Sequence, residues 1–126
     1  MKLSVKAFTL VELLLAAAIL ALVISGLLLV FLNCIFLNEA NRNSTTAISH
    51  AQFAMEEIKN TNFGSIASAT WGNSTIVSKG LNPLNNESIS IGVSGSTVLN
   101  VNVTVNWKDR GTRDRNMSLV TLISEP

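Results

Sequence analysis

The chain opens with one long apolar block and then changes to shorter, alternating patterns. Residues 13–38 contain no charged side chain, a run longer than the ~20 apolar residues a helix needs to cross a bilayer. Glu12 stands at the head of that run. An unpaired charge costs about 2.5–3.5 kcal/mol at the centre of a membrane helix and less near its end. Glu12 therefore calls for a partner. Beyond the run the chain turns polar without a helix breaker. Ala47, Ile48, Ala51, Ala54, Met55 and Ile58 share one stripe, at the spacing of a helix face packed on a core. Ser49, Gln52, Phe53 and Glu56 take the other side, which makes Phe53 a candidate interface residue rather than a core residue. A single helix over 8–59 would be about 78 Å long at ~1.5 Å per residue. Its first half would lie in lipid and its second half project from it.

After the helix the period changes. Residues 60–64 read as its end, with Gly64 in the place of a left-handed cap. Residues 65–73 read as a loop with Trp71 anchored in the core. Strands are expected at 75–78, 88–93, 98–107 and 117–123. The third has the cleanest pattern: Leu99, Val101, Val103, Val105 and Trp107 alternate with Asn100, Asn102, Thr104 and Asn106, as in a strand buried on one face. Ile89, Ile91 and Val93 repeat the period. Turns are expected at 80–86, which contains Pro83, and at Gly95-Ser96. Residues 108–116 read as a charged loop around Gly111 between the last two strands. The pattern predicts an α+β fold, a long N-terminal helix whose amphipathic half packs on a small antiparallel sheet. The expected segments are 1–7, 8–37, 38–62 and 63–126.

Composition narrows the functions open to such a chain. With 126 residues and about 30 committed to the apolar helix, one small domain remains, and its core is small. Nine basic residues face eight acidic ones, so bulk electrostatic attraction to nucleic acid is not encoded. Lys108, Arg110, Arg113 and Arg115 do cluster in the charged loop. Asp109 and Asp114 lie among them, and local pairing in a solvated hairpin tip is the simpler reading. Cys34 is the only cysteine, which excludes an intrachain disulfide. His50, the only histidine, reads as a surface residue on a polar helix flank, with no catalytic partner near it in the sequence. Glu56 and Glu57 are adjacent and point apart on a helix. No catalytic residues, metal ligands or cofactor are therefore expected. Lys2 and Lys6 precede the apolar run and keep the N-terminus in the cytoplasm by the positive-inside rule. Ala17, Ala21 and Ser25 recur every four residues, a stripe of small side chains that lets a second helix approach.

The residues Lys6-Ala7-Phe8-Thr9-Leu10-Val11-Glu12-Leu13 resemble the class III signal of type IV prepilins and type II secretion pseudopilins. That resemblance implies a leader of residues 1–7, cleavage between Ala7 and Phe8 by a prepilin peptidase, and N-methylation of Phe8. Ala7 departs from the glycine common at that position. The resemblance further implies that Glu12 meets the new amine of Phe8 on a neighbouring subunit during filament assembly. Residues 103–124 are similar to the closing hairpin of PilV-like minor pilins and I-type minor pseudopilins, and 54–59 to their helix end. The family's major pseudopilins are associated with a calcium site, and no dense cluster of Asp and Glu stands in the corresponding region. The implied protein is a minor structural subunit of a pilus or secretion filament. Its implied partners are other pilins, the peptidase, an inner-membrane assembly platform and the bilayer. The alternative is a DNA-uptake pilin touching DNA through Lys108, Arg110, Arg113 and Arg115.

Overall fold

The computed structural model describes residues 8–110 and 113–125. Ala7 with the rest of residues 1–7, and Gly111 of the charged loop, lie outside them. The chain divides into two compact units, residues 1–39 and 40–126. The first contains the apolar start of helix α1, Leu10–Lys59. Every residue from 8 to 38 is exposed, including Leu13, Leu20, Leu27 and Phe31. This helix is long and apolar enough to cross a membrane. Gly26 causes no break within it.

The second unit is the head. Its helical part begins with Asn41, Asn43, Ser44, Thr45 and Thr46, which are poor helix formers because their side chains compete with the backbone. Here the competition is turned inward. The hydroxyls of Ser44, Thr45, Thr46 and Ser49 each donate to the carbonyl four residues back, at 2.9–3.2 Å. Farther along, Ala47, Ala51, Ala54, Met55 and Ile58 are buried, as the stripe predicted. Ile48 is half-buried instead, and His50 takes its place on the buried face.

Four strands form one antiparallel sheet in the order β1-β2-β3-β4. They are β1 Ala69–Trp71, β2 Ser88–Ser94, β3 Val98–Lys108 and β4 Asp114–Ser124. The β3 alternation is as predicted, with Leu99, Val101, Val103, Val105 and Trp107 buried. Ile89 and Ile91 of β2 join them under the helix face. Each large aliphatic side chain so covered is worth about 1.5–3 kcal/mol.

Several expectations fail. The expected loop at 65–73 contains β1, paired to β2 through Trp71↔Ile89 and Ala69↔Ile91. The expected strand at 75–78 is a short helix, α2 Asn73–Ser78. Only Ile76 of that segment is buried, and a lone inward side chain does not impose period two. Gly64 sits in a one-turn 3-10 helix, Phe63–Ser65. Among the described residues, the left-handed glycines are Gly80 and Gly95. Gly95 closes the β2–β3 turn so tightly that a Cβ would lie 2.1 Å from the Val98 carbonyl oxygen. The charged loop is shorter than predicted, because β3 reaches Lys108 and β4 begins at Asp114.

Candidate assembly site

The chemistry near the N-terminus is built by four consecutive residues. Thr9 immediately precedes α1, and Glu12 lies in its first turn. The Thr9 backbone N–H and its hydroxyl both donate to Glu12 Oε2 at 3.0 Å. In return the Glu12 N–H donates to Thr9 Oγ1 at 3.3 Å. This is a reciprocal capping box, in which helix-start donors without intrahelical partners are satisfied. It answers part of the question Glu12 poses. Within one chain the carboxylate already has two donors and the positive end of its own helix. The signal, Thr-x-x-Glu, was legible in the sequence.

Farther along the apolar helix, Ala17, Ala21 and Ser25 are exposed, and the Ser25 hydroxyl donates to the Ala21 carbonyl at 2.8 Å. That bond hides the one polar group on the small-residue stripe. Cys34 is exposed.

In the head, the basic residues are drawn toward local acids. Lys108 Nζ lies 3.8 Å from Asp114 Oδ1, and Arg115 Nε lies 3.5 Å from Asp109 Oδ2. Asp109 also accepts from the Asn43 amide of α1 at 3.3 Å, which ties the hairpin to the helix. Arg110 and Arg113 are exposed. Phe53 is half-buried and stands outside the core cluster.

Sequence reasoning missed the most deeply buried polar contact of the head. His50 is 5% exposed and Glu87 3%. The imidazole Nδ1–H donates to Glu87 Oε1 at 2.7 Å. The other carboxylate oxygen accepts from the Leu84 N–H at 2.6 Å, and the neighbouring Asn85 carbonyl accepts from Lys108 N–H at 2.8 Å. The group pins the 84–87 turn between α1 and the end of β3. The surface reading of His50 is thus overturned. His50 falls three residues after Ala47 and one before Ala51, inside the apolar stripe, and that spacing was the available signal.

A second polar group stands at the β1 edge of the sheet. Lys79 pairs with Glu57 Oε1 and lies over the Trp71 ring, 4.4 Å from its centroid. Among the described residues, no group of three His, Cys, Asp or Glu side chains could hold a metal ion.

With this geometry in view, residues 2–28 match a family model described as the prokaryotic N-terminal methylation motif. No curated protein matches the chain, and no solved structure does. The chain therefore carries the class III signal of the type IV pilin and pseudopilin family at its N-terminus. Its long helix on a four-stranded antiparallel sheet is a pilin-like α+β arrangement. Motif and apolar helix together fit a pilin-type protein anchored in the inner membrane.

Proposed function

We propose that the chain is a minor pilin or minor pseudopilin, cleaved between Ala7 and Phe8 and N-methylated at Phe8. It then waits in the inner membrane with its N-terminus cytoplasmic and its head outside, and joins a filament of like subunits. The observation that carries this reading is the methylation motif at 2–28 overlapping a helix exposed on every face from residue 10 to 38. Such a surface cannot enter water. It must pass from lipid into a bundle of similar helices, for which the stripe at Ala17, Ala21 and Ser25 allows close approach. The hairpin similarity at 103–124 favours a minor subunit. The DNA-contact alternative loses ground, since Lys108 and Arg115 each face an aspartate.

In this reading Glu12 has two successive partners. Before assembly it caps its own helix through Thr9. After cleavage the Phe8 amine becomes available on a neighbouring subunit. Attraction at ~4 Å is about 4 kcal/mol at an effective dielectric of 20, and desolvation cancels much of it. The pair sets how far one helix slides along the next more than it adds affinity.

Glu12→Val should leave membrane insertion and cleavage intact while the processed subunit fails to co-purify with sheared filaments. Glu12→Gln should show a milder loss, because it keeps an acceptor. Thr9→Val removes the hydroxyl that donates to Glu12 Oε2 and accepts from the Glu12 N–H, a cap worth ~1 kcal/mol, and should be milder still. Wild-type recovery of Glu12→Val would show that the carboxylate does not align this subunit. Equal losses in Thr9→Val and Glu12→Val would assign Glu12 to capping alone.

A further inference from the structure

Between the C-terminal end of α1, the 3-10 turn at Phe63–Ser65 and β1 lies a cavity of about 150 Å³. Its walls include Ile58, the last residue of the buried helical stripe, with Ile66, Trp71 and Ile91. Ala67 and Ala69 complete the apolar part. Ala69 stands opposite Ile91 in the ladder, and its single methyl leaves room that a longer side chain would fill. Thr61, Ser65, Ala67 and Ala69 are exposed, so the space is reached from outside.

One wall is polar. Glu57 precedes Ile58 on α1, and its side chain is 41% exposed. Its two carboxylate oxygens nevertheless differ. Oε1 accepts from Lys79 Nζ, and that ammonium also covers the Trp71 ring, 4.4 Å from its centroid. Oε2 is buried and has no hydrogen-bond partner among the described residues. Buried polar atoms are nearly always hydrogen-bonded, and an acceptor that is not calls for a donor.

Size, walls and charge together define what fits. Apolar cavities of roughly this volume admit a benzene ring. A water molecule needs about two to four polar partners to be held, and the isoleucine and alanine side chains supply none. The Glu57 charge is already met by Lys79, so a second cation is surplus and an anion is repelled. We infer that the cavity takes a neutral, ring-sized apolar group with one hydrogen-bond donor, of the phenol class, its donor on Glu57 Oε2 and its ring beside Trp71. The sequence contains no tyrosine, so none of the 126 residues, in this copy or another, supplies that group. It comes from a free phenolic molecule or from the tyrosyl side chain of a different protein. The site stands or falls separately from the filament reading.

The test titrates the full chain in detergent with two matched pairs. One pair is phenol and benzene, the other N-acetyltyrosinamide and N-acetylphenylalaninamide. NMR follows the methyl signals of Ile58, Ile66 and Ile91 and the Trp71 indole N–H. Saturable shifts should appear there and not at Ile123, which lies on the far edge strand. Within a pair the hydroxyl compound should bind roughly tenfold or more tightly, because one hydrogen bond to a charged acceptor separates the two. Binding of the amide pair identifies the tyrosyl side chain of another protein, and binding of the bare rings alone identifies a free phenolic molecule. Glu57→Leu should abolish the preference for the hydroxyl while head melting is unchanged; if that variant does not fold, the wild-type pairs decide alone. Equal affinity within both pairs would make the cavity merely apolar and overturn the inference. The absence of any saturable shift, or tighter binding of the cation benzylamine than of phenol, would overturn it too.

Discussion

Changing Ala51 to Asp should leave residues 40–126 unfolded, whereas the parent fragment folds without detergent. Ala51 is fully buried on α1, within the cluster that also holds Ile89, Val101 and Val103. A carboxylate there has no cation within the cluster and loses its hydration, a cost of several kcal/mol even after relaxation. Folded domains are stable by only about 0.05–0.15 kcal/mol per residue, and the head is a small one. The cost therefore approaches or exceeds everything the head has. Circular dichroism melting of the two fragments checks this. A variant that melts with the parent would mean that α1 turns a different face to the sheet.

Glu87→Ala should be the next most damaging change in the head, at about 1–3 kcal/mol for each donor it leaves unsatisfied. It removes the acceptor for both the His50 imidazole and the Leu84 N–H, leaving one buried and one half-buried donor without partners. It also frees the 84–87 turn that Lys108 holds from the sheet side. Glu87→Gln keeps an acceptor for each donor and should cost clearly less. Replacing both His50 and Glu87 by Leu should cost less than the sum of the two single changes, since neither partner is then stranded. Urea unfolding of residues 40–126 gives each of these values. Additive losses would mean that the two side chains act independently and the 2.7 Å contact contributes nothing to stability.

How much was legible in the sequence follows from what repeats and what does not. The apolar run, the helical stripe and the β3 alternation are periodic over many residues, and each appears in the fold where the period put it. β1 has three residues and pairs only through its neighbour β2, so nothing local marks it as a strand. Residues 75–78 are too few to separate a strand from one turn of helix, and only Ile76 among them is buried. The charged loop shrank because antiparallel pairing carried Lys108 and Asp114 into the ladder, a tertiary effect that side-chain polarity does not encode. His50 was misread because its residue type was weighed above its spacing. Thr9 was overlooked although Thr-x-x-Glu before an apolar run is a helix-start signature. The pairing of His50 with Glu87 spans 37 residues, and single-sequence patterns carry no information at that range.

The central claim is that residues 1–7 are a leader and that Phe8 begins the working protein. Mass spectrometry of the chain, extracted with detergent from membranes of cells with an active prepilin peptidase, tests it most directly. The account predicts a mature N-terminus at Phe8 bearing one N-methyl group, and accumulation of the full-length chain when the peptidase is absent. An intact Met1-bearing chain in cells with the active peptidase would contradict it.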